Sequence, residues 1–120
     1  MPANRSPKIE LLWWQGCPSW PQVLDELREA VAEAGLDPEA IEMHEVTTDE
    51  SAMAEHFVGS PTIRIDGKDI QPPADEEPFG LTCRIYRLRS GRISPTPDPA
   101  DLRDAIRHAK GASRNLRRRA

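Results

Sequence analysis

The sequence is short of several things at once. It holds two cysteines, one tyrosine and two phenylalanines in 120 residues. No apolar run approaches the roughly 20 residues that a membrane-spanning helix needs, so no membrane association is expected. The opening Met1 to Pro7 lacks the apolar centre of a signal peptide. Cytoplasmic residence is the expectation, and two cysteines there are thiols rather than a disulfide scaffold. There is no internal repeat, no low-complexity block, no P-loop, no G-x-G-x-x-G and no Ser-His-Asp order. His44, His56 and His108 share no ligand spacing with one another or with either cysteine, so no metal and no bound cofactor is expected. Positive charge is scarce outside the C-terminus. Arg114, Arg117, Arg118 and Arg119 leave a net −8 on residues 1–110, out of −4 overall. Binding nucleic acid requires a basic face, and an acidic body argues against it.

What is present fits one small α/β domain. Hydrophobic residues make up 38% and charged residues 30%, and a chain of this size hides roughly two-thirds of its unfolded surface. Residues 8–14 read as a buried strand, too short to be a helix before Gly16. Val23, Leu24, Leu27, Val31 and Ala34 recur at the spacing of one helical face, and Gly35 ends that helix. Residues 41–46 alternate as an impure strand. Thr48 offers a cap for a short helix carrying Ala52, Met53 and Phe57. Residues 61–66 form a third strand that ends at the turn signal Asp66-Gly67. Residues 67–81 are a loop rich in proline and acid, and 82–88 alternate as a fourth strand. Asp98-Pro99 opens a last amphipathic helix through Leu102, Ala105, Ile106 and Ala109. A right-handed crossover makes the first two strands parallel neighbours. The expected architecture is a four-stranded mixed sheet of order 2-1-3-4 with helices on both faces. It occupies residues 1–110, and residues 111–120 follow as a basic, mobile tail.

The segment Trp13-Trp14-Gln15-Gly16-Cys17-Pro18-Ser19-Trp20 carries the strongest chemical signal. A cysteine between a strand end and a helix start meets unpaired backbone N–H groups and the positive end of the helix dipole, both of which favour thiolate. Two starts for that helix stay open. Cys17 is one N-cap, although Pro21 then removes an early hydrogen bond. Ser19 is the other, forming a capping box with Gln22 and leaving Cys17 outside. Trp13 and Trp14 point to opposite faces of their strand, and Trp20 falls in step with Leu24 and Leu27 on the core side. The second signal is Gly59-Ser60-Pro61-Thr62, where proline opens a strand and a cis Ser60–Pro61 bond is accessible.

A strand ending in Gly16-Cys17-Pro18, a long helix, a strand, a short helix and Gly59-Ser60-Pro61-Thr62 before a strand resembles the thioredoxin fold over roughly residues 8–110. It is similar in particular to small bacterial members with a single-cysteine Gly-Cys-Pro motif. That resemblance implies that Cys17 is the nucleophile and Pro61 the cis-proline beside it. Trp14, Gly16, Pro18, Ser19, Trp20 and Ser60 would then line the groove. The resolving position of C-x-x-C falls on Trp20, which excludes a dithiol reaction inside the motif. Monothiol oxidoreductase chemistry on a disulfide or thiol substrate, a protein among the candidates, with glutathione as a co-substrate, is the leading expectation. A non-catalytic module that binds a soft metal, an electrophile or a protein partner is the alternative.

Cys83 is the candidate second thiol. An antiparallel return after the third strand places it at the far end of the sheet, roughly 16 Å from the motif by strand rise, buried and structural. Only the 67–81 loop offers a way back. It would bring Asp75, Glu76 and Glu77 with it, and their charge would oppose a thiolate.

Overall fold

The structure, a computed structural model, describes residues 6–73 and 77–119, with side chains through Gly111 at the C-terminal end. The strand β1 (Ile9–Trp13) is followed by the helix α1 (Trp20–Glu33) and a single 3-10 turn, Pro38–Ala40. Next come β2 (Glu42–Glu45), α2 (Asp49–Glu55), β3 (Thr62–Ile65) and β4 (Lys68–Asp69). A hairpin of β5 (Tyr86–Arg87) and β6 (Ile93–Ser94) precedes α3 (Pro99–Arg119). The main sheet is mixed and runs β2-β1-β3-β4. β1 is parallel to β2 and antiparallel to β3, and β3 is antiparallel to β4. No helix among the described residues is long and apolar enough to cross a membrane.

The alternation of β1 separates two cores. Ile9 and Leu11, with Ile63 and Ile65 from β3, meet Val23, Leu27 and Val31 of α1 and Leu102 and Ile106 of α3. On the opposite face Leu12 meets Val46, Ala52 and Phe57. Each fully buried side chain of this size is worth about 1.5–3 kcal/mol. The α1–α3 layer therefore supplies most of the stabilisation, and α2 covers only one end of its face.

Local signals hold at the helix ends. Gly35 adopts φ +80° after α1, where Leu36 N–H reaches back to the Val31 carbonyl at 3.0 Å. Thr48 caps α2 by accepting from Ser51 N–H at 3.0 Å. Asp66 and Gly67 both take positive φ and join β3 to β4 in a two-residue hairpin, a turn that favours this dipeptide.

The fourth strand departs from expectation. The sheet order is the expected 2-1-3-4, but its last strand is Lys68–Asp69, inside the segment read as loop. Residues 82–88 do not extend the sheet antiparallel to β3. Residue 83 makes an isolated parallel bridge to Ser60, and Tyr86–Arg87 pairs with Ile93–Ser94 instead. The cause is β4 itself, which takes the edge of β3 first. The chain then crosses residues 70–81 before it meets the sheet end again. The loop acids Asp75 and Glu76 lie outside the described residues, as do the side chains of the arginine tail. The α3 backbone is helical through Arg119.

Candidate functional site

Ser60 is fully buried and uses every polar group it has. Its N–H donates to the Thr82 carbonyl at 2.8 Å, and its carbonyl accepts from Arg84 N–H at 2.8 Å. The same carbonyl accepts from the Cys17 thiol at 3.2 Å. Its hydroxyl accepts from Trp14 N–H at 3.0 Å. One serine thus ties together the turn after β1, the 82–84 segment and the Ser60–Pro61 peptide, which is cis.

The close approach of residues 82–84 depends on Gly59. It sits at φ +141°, and a Cβ there would come within 2.9 Å of the Arg84 Cα and N. Only glycine suits both conditions.

Behind that segment lies a buried polar brace. Arg84, 6% exposed, pairs with Asp69 of β4 at 2.6 Å. It also donates to the Gln71 carbonyl and lies 4.5 Å from the centre of the Tyr86 ring. The Tyr86 hydroxyl donates to the Pro61 carbonyl at 2.5 Å. Burial pushes that hydroxyl well above the usual tyrosine range; the nearby Arg84 charge partly opposes the shift and Asp69 adds to it. A buried guanidinium is costly unless paired and fully hydrogen-bonded, so β4 and residue 71 are what make an inward Arg84 possible.

This inward turn reverses the expected role of Cys83. The alternation along 82–88 is as read, with Cys83, Ile85 and Arg87 on one side. That side faces outward, while Arg84 and Tyr86 are buried. Cys83 is exposed rather than buried, and its bridge to Ser60 places it beside Cys17 rather than a sheet length away. The Cys83 thiol is pushed up from its ordinary value, first by its hydrogen bond with the Cys17 sulfur, then by burial, then by the Cys17 charge. Both cysteines are free thiols.

Cys17 is 1% exposed and lies two residues before Ser19, the N-cap of α1. The helix therefore begins at Trp20, with Cys17 outside it. The capping box is not made: Ser19 has no side-chain cap bond, and Gln22 donates to Glu26 at 3.0 Å. Cys17 N–H is already bonded to the Trp14 carbonyl at 3.1 Å, and Pro18 has no N–H to offer.

The tryptophans divide as β1 alternates. Trp14 packs against the Leu12–Phe57 core, and its ring occupies the space a Cβ on Gly16 would need. Trp13 lies against Trp20 with ring centroids 4.2 Å apart and planes tilted by 31°. Trp20 is accordingly half-buried against Trp13 and not a member of the core that holds Leu27, contrary to its expected place. Pro61 is buried with Ser60, while Gly16 and Pro18 are exposed. An open cleft of about 680 Å³ begins at Cys83 and is bordered by apolar Val58, Pro72, Pro78, Ile85 and Ile93 and by polar Gln71, Glu77, Thr82 and Arg87. None of the groove residues expected around Cys17 lines it.

Comparison with family models, curated proteins and solved structures finds no match for this chain. The site therefore stands on its own geometry. It joins one buried and one exposed sulfur at a buried cis-proline junction, with the exposed sulfur opening on a cleft of mixed polarity. Gly59 is legible in the sequence only as part of the Gly59-Ser60-Pro61-Thr62 motif, and Asp69, Arg84 and Tyr86 escaped the sequence reading as site residues. Their signal was the Arg84/Tyr86 alternation, whose inward direction needed the Asp69 partner to be known.

Proposed function

We propose that this chain is a thioredoxin-like thiol–disulfide redox protein in which Cys17 and Cys83 work as a pair. The observation that supports it is the meeting of both sulfurs at Ser60. Sequence reading favoured a single working thiol at Cys17, because residue 20 is tryptophan. Cys83 supplies the missing partner from another part of the chain.

Thiol–disulfide exchange requires access for the attacking sulfur. Cys83 is the exposed one, so it meets the substrate disulfide. Its thiol loses a proton to solvent, and the thiolate attacks one substrate sulfur. A mixed disulfide forms, and the other half of the substrate leaves as thiolate. Cys17 then attacks the Cys83 sulfur, forming the Cys17–Cys83 disulfide and releasing the second substrate thiol. The protein dithiol is oxidised by two electrons, and the substrate disulfide is reduced by two. A thiol pushed up by its neighbour is a slow attacker at neutral pH, so the first step accelerates as pH rises.

The test uses oxidised glutathione and peptide mapping under non-reducing conditions. Wild type is expected to yield the Cys17–Cys83 disulfide, and Cys17→Ser to accumulate glutathione on Cys83. Cys83→Ser is expected to stay unmodified. A mixed disulfide on Cys17 in Cys83→Ser, with none on Cys83 in Cys17→Ser, would overturn the assignment and restore Cys17 as attacker. Absence of any disulfide in wild type would remove the pair altogether. Two adjacent sulfurs also suit a soft metal ion. That second reading rests on the burial of Cys17, and it predicts tight metal uptake without exchange.

A further inference from the structure

The α2 helix covers only the Leu12 end of its sheet face, and the other end carries charge. On that bare end, β1–β2 register sets Glu10 opposite Glu42 and Leu12 opposite His44. Residues 42 and 44, two apart on one strand, share a face, which is also the face of Glu10. The His44 Nε2 lies 3.1 Å from Glu10 Oε2 and 3.6 Å from Glu42 Oε1. One donor atom from each of the three falls within 4.8 Å of the others.

We propose that Glu10, Glu42 and His44 form a binding site for a divalent transition-metal ion of the zinc class, tying the edge strand β2 to β1. Zinc takes His nitrogen at about 2.0–2.1 Å and carboxylate oxygen at about 2.0–2.2 Å in tetrahedral geometry, which puts neighbouring donors about 3.4 Å apart. The two His44 separations bracket that spacing, so small rotations of exposed side chains suffice. An imidazole with two carboxylates suits zinc rather than calcium or magnesium, which prefer all-oxygen sets. Three protein ligands leave a fourth position for water.

The surrounding charges permit a cation. Arg64, the cross-strand neighbour of Glu10, is turned away to Glu55 at 3.4 Å and bonds the Glu55 carbonyl. Lys8 reaches Glu10 at 3.7 Å, but its side chain is 55% exposed and free to swing into solvent. Glu10 itself is only 15% exposed, which gives the site a half-buried anchor. The site is separate from the thiols: Glu10 lies four residues, roughly 13 Å of strand, before Trp14 at the Ser60 junction. Sequence reading expected no metal because His44 has no ligand spacing along the chain. Glu42 shares the His44 face two residues away on β2, and Glu10 arrives only through the β1–β2 register, which spacing along the chain does not show.

Because thiols also take zinc, the test uses the full chain with both Cys17→Ser and Cys83→Ser. Titration calorimetry with zinc is expected to give one ion per chain. Cobalt in its place is expected to show ligand-field absorption without a thiolate charge-transfer band. His44→Ala, Glu10→Gln and Glu42→Gln are each expected to weaken binding at least about tenfold, the loss that even outer-shell changes reach. Circular dichroism identifies any variant that fails to fold, and the exposed Glu42→Gln and His44→Ala carry the test if Glu10→Gln does. Zinc uptake that vanishes with the two cysteines would overturn the proposal. So would uptake that survives unchanged in both Glu42→Gln and His44→Ala.

Discussion

Tyr86 and Ser60 do at the residue scale what no single motif announced. Ser60 engages its N–H, carbonyl and hydroxyl with two separate segments, residues 14–17 and 82–84, and Tyr86 closes the other side by bonding the Pro61 carbonyl. The tyrosine makes this junction sensitive to pH. Its hydroxyl is held neutral in the folded state by burial, above the value near 10 at which an unfolded chain ionises. Above that pH the unfolded state binds fewer protons than the native state, so stability is present in full below about pH 10. It is lost as pH rises through the folded value. Tyr86→Phe removes both the hydrogen bond and the titration. The expected result is a loss of about 0.5–1.5 kcal/mol at pH 7, with a flatter decline above pH 10 than wild type. Urea midpoints measured across pH 7–11 check this, and parallel curves for the two proteins would count against it.

At the scale of elements, legibility follows length and periodicity. β1, α1 and β3 were readable because runs such as Ile9 to Trp13 and Val23 to Val31 bury one face and need no distant partner. β4 was not, because two residues, Lys68 and Asp69, carry no period. Its strand status comes from the Asp66-Gly67 turn and the free edge of β3. Missing β4 had a further effect. With that edge taken, residues 82–84 could only return to the sheet end, and Asp69 became the partner that draws Arg84 inward. A one-residue change of parity then moves Cys83 from core to surface. The return depends on a close contact at Gly59. Gly59→Ala puts a methyl into the Arg84 backbone at a φ that alanine avoids, with an expected cost of about 1–3 kcal/mol. The segment 82–84 is expected to move away from Ser60. In the proposed redox reading, the variant should therefore yield less Cys17–Cys83 disulfide at equal oxidant. Wild-type yield and stability in Gly59→Ala would show that the approach is looser than the structure has it.

For the whole molecule, the question is whether a Cys17–Cys83 bond would act as a staple or as a working couple, and thermodynamics separates the two. Closing the chain between residues 17 and 83 restricts the unfolded state by about 4 kcal/mol in the chain-entropy account. A bond that delivered all of this to the fold would resist reduction by the same amount, since about 1.4 kcal/mol corresponds to 30 mV for a two-electron couple. The reduced state works against full delivery. The Cys17 thiol gives up its bond to the Ser60 carbonyl on oxidation. Ser60, Gly59 and Arg84 already hold the two segments together without a covalent link, so the bond removes little native-state freedom, and the lost Cys17 hydrogen bond is what keeps the gain below the full entropic value. Oxidised protein is therefore expected to be more stable than reduced protein by clearly less than about 4 kcal/mol, and Cys83→Ser to show no difference between oxidising and reducing conditions. Urea unfolding of the diamide-treated and dithiothreitol-treated forms measures this directly. A gain at or above the full entropic value would make the bond a structural staple and count against a redox role. A smaller gain leaves the bond within reach of cellular thiols, as a recycling pair requires.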